Sequence, residues 1–215
     1  MSRWHLFTGE YPPAPGGVSD YTRQVAVGLA ERGETVEIWA PRVPGADPDD
    51  PGVTVHRLQS VRPDHLAELG RTIAASRARD RLFVQYVPQS FGRRGMNVEL
   101  IRWLVRQPAE VWVQFHEVAF AWDWLHRPQH QIIALVQRWM SRALARRADR
   151  IFISIEGWRR QLGDLGARAE WLPIPSNIPI NVPELVTARI RRDLVTRFPS
   201  DFVDGSEHAA AVPVG

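Results

Sequence analysis

Cysteine is absent from this 215-residue sequence, so neither a disulfide framework nor a thiolate metal site is available. Lysine is absent too, and all 27 Lys-or-Arg positions are arginine. P-loop phosphate binding and Schiff-base catalysis both need an amine, and both are excluded. No apolar run approaches the roughly 18 residues of a membrane span. The opening residues, Met1 to Leu6, carry Arg3 and His5 and reach polar Thr8 without a signal-peptide core. The expected location is therefore the cytoplasm. An all-arginine base content gives a high isoelectric point, about 10.1, beside a net charge of only +3. Such a balance does not point to nucleic acid.

What is present suits one globular α/β domain with some tail, since 44% of residues are hydrophobic and 24% charged. Trp4 to Thr8 reads as a strand, followed by the loop Gly9-Glu10-Tyr11-Pro12-Pro13-Ala14-Pro15-Gly16-Gly17. Tyr21, Val25 and Leu29 recur at helical spacing, with Gly33 as C-cap. Further strands are expected at Val36–Trp39, Val53–Leu58, Leu82–Gln85, Val111–Phe115, Ile151–Ser154 and Glu170–Leu172. The intervening helices are expected at Asp64 to about Ala78, Val98–Val105, Ile132–Leu144 and Trp158–Leu165. Alternation of strands and helices implies βαβ units and a Rossmann-like, three-layer α/β domain with a mostly parallel sheet covered on both faces. That domain spans residues 1–180. After it come the proline-locked segment Pro173 to Pro179, a basic linker helix within 181–199, and an aperiodic stretch, 200–215, expected to be disordered.

Ligands of open parallel sheets bind beyond the carboxyl ends of the strands. Four clusters fall there: Gly16-Gly17, Tyr86-Val87-Pro88-Gln89, His116-Glu117 and Ser154-Ile155-Glu156. Gly16 and Gly17 precede a helix N-terminus, which favours an anion; a plain packing turn fits equally. His116 beyond a strand end can hydrogen-bond a sugar hydroxyl or polarise a reacting group, or it can be structural. Zinc is not expected, because H-E-x-x-H would need histidine where Phe120 stands. Asp47-Pro48-Asp49-Asp50 spells the metal-holding D-x-D of one glycosyltransferase class, but it sits in a Pro/Gly loop where a solvated acidic turn is the ordinary outcome. On the helix at 132–144, Ile132, Val136, Trp139 and Ala143 are expected inward, opposite Arg138, Arg142 and Arg146. The arginine face also admits a peripheral contact with anionic lipid at the inner membrane surface.

The ordered set of motifs resembles glycosyltransferase family 4. It comprises Glu10-Tyr11-Pro12-Pro13 with Gly16-Gly17-Val18, then Leu29-Ala30-Glu31-Arg32-Gly33 and Phe115-His116-Glu117. It ends with Ala148-Asp149-Arg150-Ile151-Phe152-Ile153-Ser154 and Leu172-Pro173-Ile174-Pro175-Ser176-Asn177-Ile178-Pro179. The likeness runs from about Trp4 to Pro179. It implies the N-terminal half of a GT-B enzyme, which moves a sugar from a nucleotide-sugar donor to a sugar or lipid-linked acceptor, with retained configuration and no metal or other cofactor. By that likeness Gly16 and Gly17 lie near the donor diphosphate and His116 contacts the transferred sugar. Tyr86, Glu117 and Ser154 line the acceptor side.

One departure matters. The family's donor-binding half carries a basic pair and two glutamates seven residues apart, and nothing after Pro179 offers this. The chain is therefore expected to be inactive alone and to need a separate C-terminal donor-binding domain. The alternatives are a non-enzymatic carbohydrate-binding or subunit-interaction module, and a metal-dependent enzyme built on Asp47 and Asp49.

Overall fold

The computed structural model describes residues 2–75, 80–120 and 128–175. The expected linker helix and the 200–215 stretch lie outside the described residues, as do Trp122 and Trp124, expected contributors to an exposed, partly apolar carboxyl edge. Among the described residues there are seven strands: β1 (Arg3–Thr8), β2 (Thr35–Pro41), β3 (Val53–Leu58), β4 (Arg81–Tyr86), β5 (Glu110–Phe115), β6 (Arg150–Ile153) and β7 (Glu170–Trp171). Five helices alternate with them: α1 (Gly17–Ala30), α2 (Ala67–Ala74), α3 (Val98–Leu104), α4 (Pro128–Arg147) and α5 (Trp158–Asp164). The strands form one sheet in the order β3-β2-β1-β4-β5-β6-β7, and every pairing is parallel.

The order dictates where the helices lie. From β1 to β3 the chain steps outward in one direction; from β4 to β7 it steps in the other. A right-handed crossover then puts α1 on one face and α2 to α5 on the opposite face. Accordingly Val25, Ala26 and Leu29 of α1 meet Leu6, Val36 and Ile38. Leu69, Leu100, Met140, Leu144 and Leu162 meet Phe7, Val84 and Val113 on the other side. Gly33, at φ 80°, closes α1 as expected, with its N–H donating to the Ala30 carbonyl.

The coverage is less even than the βαβ pattern predicts. Over β4 to β6, the α1 face is capped by aromatic and arginine side chains. Trp112 packs edge-on against Trp4, with centroids 5.0 Å apart, and lies beside Phe83 and Phe152. The Arg81 guanidinium lies 4.9 Å from the Trp4 ring and that of Arg150 lies 4.7 Å from Trp112. Trp4 pairs with Arg81 and Trp112 with Arg150 across the ladders, so the strand register itself builds these contacts. Each contributes about 0.5–1 kcal/mol where solvent reaches it. Two of the nine tryptophans, Trp4 and Trp112, are thus accounted for by packing.

Two helices differ from the sequence reading. The helix expected from Asp64 begins as a 3-10 turn, Pro63–Leu66, and becomes α-helical only at Ala67. A proline at the first position fixes φ and donates nothing, which suits such a start. In α4 the expected inward face is half right: Val136 and Ala143 pack, partly buried, against the core, but Ile132 and Trp139 do not. Ala134, Gln137, Met140, Ser141, Leu144 and Ala145 are buried, while Ile132, Leu135 and Trp139 are 58%, 55% and 47% exposed. Two polar groups on the buried face explain the error. Gln137 Oε1 accepts from Phe120 N–H at 2.7 Å, and Ser141 Oγ donates to the Val118 carbonyl, so the helix binds the chain leaving β5 through polar side chains.

This assignment predicts opposite outcomes for neighbouring residues. Met140→Ala should lower unfolding free energy by about 2–5 kcal/mol, as for other buried truncations. Trp139→Ser should change it by no more than about 0.5 kcal/mol. Urea titration of both variants checks the rotation of α4; a large loss at Trp139 with little at Met140 would restore the face expected from sequence.

Candidate active site

All seven carboxyl ends lie on one edge, because every strand pair is parallel. The crevice opens between β1 and β4, where the chain order reverses. The loop leaving β1 and the turn leaving β4 approach each other closely. A Cβ on Gly9 would come within 2.1 Å of Ser90 Oγ, so only glycine fits without a shift. Thr8 Oγ1 donates to the Glu10 carbonyl at 2.8 Å and fixes the loop's first turn. Arg57, which sequence reasoning did not single out, ties the loop to the rest of the domain. Its guanidinium donates to the Pro12 carbonyl and to the Pro41 carbonyl at 3.1 Å, and it pairs with Asp47 at 2.6 Å. Asp50 pairs with Arg23 at 2.8 Å. The Asp-rich segment therefore braces the loop through arginines.

Gly16 and Gly17 stand at the start of α1 as expected. A Cβ on Gly17 would meet nothing within 4 Å, so the position is open. Gly16 is different. Its added Cβ would lie 2.7 Å from Glu10 Oε1, and that same oxygen accepts from Ser19 N–H at 3.3 Å. A carboxylate of this chain thus occupies the first-turn amide position that the sequence reading gave to a ligand anion. It neutralises part of the helix dipole.

His116 follows β5 and is 8% exposed. Its ring faces the α1 side, edge-on to Tyr21 with centroids 5.3 Å apart. His116 Nε2 lies 2.8 Å from Gln85 Oε1 and donates to it, which leaves Nδ1 as the lone-pair nitrogen. Nδ1 has no partner among the described residues. Burial pushes the imidazole down to about 4, so it is neutral near pH 7. Gln85 belongs to a row that periodicity could not reveal. Thr8, Gln85 and Gln114 are register neighbours on β1, β4 and β5, and all three are buried. A sequence signal was available, for glutamine at the same position near the end of two consecutive apolar strands is unusual in a core.

The remaining expected residues divide. Glu117 is exposed at the edge. Ser154 is buried, and its hydroxyl donates to the Phe115 carbonyl at 3.3 Å; Trp158 Nε1 holds the His116 carbonyl at 2.8 Å. Ser154 therefore anchors the chain around His116. Tyr86 is fully buried among Phe91 and Phe115 in the α2–α5 core, because its strand position faces away from α1. Its side chain does not reach the crevice. The structure brings Gly16, Gly17, His116, Glu117 and Ser154 to one edge and leaves Tyr86 beneath it.

A Rossmann-like α/β domain with its polar groups gathered at the switch point is the class defined by this geometry. The chain belongs to the glycosyl transferase 4-like family, whose domain model matches residues 16–176. No curated protein matches the chain. Among solved structures, an α-glucosyltransferase in complex with UDP and a DNA containing an HMU base is 14% identical with a TM-score of 0.53, over 82% of this chain and 43% of that one. A second complex of that description gives a TM-score of 0.51 over the same shares. A sucrose-phosphate synthase structure from Thermosynechococcus elongatus is 15% identical with a TM-score of 0.48, covering 89% of this chain and 98% of that one. The chain spans roughly two fifths of the glucosyltransferases it matches, between 35% and 43% of their length.

The buried imidazole yields a pH prediction. In the unfolded chain His116 titrates near 6.5, and in the folded chain near 4. As pH falls through this window the unfolded state takes up the proton first. Stability is therefore complete above about 6.5, falls toward 4 by up to about 3 kcal/mol, and levels off below that. His5, whose pKa burial also lowers, acts in the same direction. Unfolding free energies of wild type and His116→Gln between pH 7 and 4 should accordingly converge; parallel curves would mean that the ring is solvated.

Proposed function

We propose that this chain forms the acceptor-side half of a retaining glycosyltransferase that moves a sugar from a nucleotide-sugar donor to an acceptor hydroxyl. The observation that carries the proposal is the meeting, at one switch point of a glycosyl transferase 4-like chain, of a helix N-terminus and a buried neutral histidine. The solved α-glucosyltransferases it resembles hold UDP, and a uridine nucleotide is the natural first probe. In this reading the donor diphosphate lies toward Gly16 and Gly17. His116 presents Nδ1 or its backbone neighbourhood to the transferred sugar, and Gln85 sets which ring nitrogen carries the proton. Glu117 stands on the acceptor side. Charge developing on the departing diphosphate is met by α1, and for the greater part by a facing donor-binding domain; no metal is required.

Glu10 refines the proposal. Its carboxylate competes for the α1 N-terminus with any incoming phosphate, and like charges repel there. Glu10→Gln keeps a group able to accept from Ser19 N–H and removes the charge. It should bind UDP more tightly than wild type, with stability lower by about 0.3–1 kcal/mol from the lost dipole interaction. Gly17→Val should weaken UDP binding while folding survives, because its side chain points into open space. Isothermal titration with UDP decides; affinities unchanged in both variants would assign the turn to packing alone.

The chain by itself should release no nucleotide from nucleotide sugars above background. One exposed helix terminus supplies about 0.3–1 kcal/mol, against the 8 kcal/mol or so that the least proficient enzymes remove from a barrier. Joined to a matching donor-binding domain it should turn over, and His116→Ala should cut that rate by about ten- to ten-thousandfold. Turnover unaffected by His116→Ala would remove the residue from the mechanism. A joined protein that never turns over would favour a non-enzymatic module.

A further inference from the structure

On the side of the domain away from α1, α3 and α4 pack against each other and leave an apolar strip outside the core. Ile132, Leu135 and Trp139 lie on the outward face of α4 at i, i+3 and i+7, and roughly half of each side chain is exposed. Leu135 and Trp139, with Val98, Val136 and Arg102, line an open groove of about 300 Å³. Large aliphatic and indole groups aligned in this way are costly to leave in water, so something covers them.

Charge identifies the partner. α4 contains no acidic residue, and Arg138, Arg142 and Arg146 follow the apolar residues around the same outward half of the helix. None of these three, nor Arg102, forms an ion pair or hydrogen bond among the described residues. Some surface arginines here are paired, Arg23 with Asp50, Arg81 with Glu110 and Arg159 with Glu156; on α4 the arginines instead share a face with large exposed apolar side chains. The one acid on α3, Glu99, is already held by Arg93 at 2.9 Å. The patch is thus apolar and cationic together, and its charges have no partner among the described residues. An apolar protein partner would leave the arginines unpaired, and an acidic protein face would leave the indole and leucine exposed. A bilayer with anionic headgroups satisfies both at once. Trp139, Leu135 and Ile132 enter the boundary between headgroups and acyl chains, and the arginines bind phosphates.

We infer that the α3–α4 face is a docking surface for anionic membrane, with α4 lying in the plane of the interface. No helix among the described residues is long and apolar enough to cross a bilayer, so this contact is peripheral. It is independent of the proposed transferase activity, because it rests on the surface of α4 and not on the carboxyl edge.

The test is flotation of the full chain with vesicles of phosphatidylcholine alone, or of phosphatidylcholine and phosphatidylglycerol in equal parts. The chain should float with the anionic vesicles only. Salt should release it, since the Debye length shrinks from about 10 Å at 0.1 M to about 3 Å at 1 M. Arg138→Gln/Arg142→Gln should weaken partitioning by about fivefold for each arginine removed. Leu135→Ser/Trp139→Ser should abolish it, and melting temperatures of both variants should match wild type, which separates lost docking from lost folding. Flotation equal on neutral and anionic vesicles, or unchanged in either double variant, overturns the inference. So does the absence of flotation together with a dimer, seen by sedimentation equilibrium, that Leu135→Ser/Trp139→Ser dissolves; the strip would then be a contact between copies.

Discussion

The pairing of β1 with β4 is the constraint on which the candidate site depends. Trp4 through Thr8 align with Arg81 through Gln85, and this junction is where the chain changes direction across the sheet. Loops from the two strands consequently leave toward opposite faces and open a crevice between them. Register matters as much as adjacency. A slip of one residue would turn Thr8 toward the α2–α5 side and Phe7 toward α1. Thr8 would then lose the Glu10 carbonyl, and the loop that brings Glu10 under α1 would lose its first anchor. The apolar runs Leu6-Phe7 and Leu82-Phe83-Val84, buried on both sides, hold that register far from the crevice.

The polar row at the edge is maintained against its own cost. Gln85 Nε2, Gln114 Oε1 and His116 Nδ1 are buried and have no partner among the described residues. Each such group costs about 1–3 kcal/mol relative to a satisfied one. Sheets do not accumulate such groups at random, and native proteins carry few of them. These three lie on one side of one edge; other such groups lie elsewhere, among them the Tyr86 hydroxyl in the core on the opposite face of the same strands. Arg93 and Arg94, at φ 53° and 54° in the turns after β4, add backbone strain along the same edge.

Much of this was legible in the residues. Strand and helix alternation gave the parallel sheet, since each element carries a strong period and a breaker at its end. It also placed Gly16, Gly17, His116 and Ser154 at one edge. The misses have separate causes. The buried face of α4 carries Gln137 and Ser141, whose polarity hid it, and Ile132 and Trp139 look like core because indole and isoleucine usually are. Tyr86 was assigned to the crevice from its place after a strand, but alternation of side chains turns it into the core. The turns Pro88–Phe91 and Arg93–Gly95 have no periodicity to read. Glu10 and Arg57 act through contacts between residues far apart in sequence, and spacing carries no information about such contacts. Gln85 was visible only as an unusual residue; its link to His116 needed the β4–β5 pairing.

The electrostatics of His116 also divide the proposed chemistry between this domain and a facing one. A protonated imidazole could offset diphosphate charge, but burial without a facing carboxylate drives this ring neutral, to about 4. Neutral, it can position a sugar through a hydrogen bond and cannot serve as a counter-ion. The other positive element nearby, the α1 N-terminus, is already shared with Glu10. Arg57 and Arg23, beside the crevice loop, are committed to Asp47 and Asp50. Under the proposed function, then, this half orients the sugar, while the cations that make the nucleotide a good leaving group belong to the surface opposite. A low-dielectric cleft between the two strengthens both contributions, because each dipole acts over a shorter, drier path. The neutral histidine is consistent with that division, for a second fixed cation at the sugar itself would oppose the positive character that develops as the nucleotide departs.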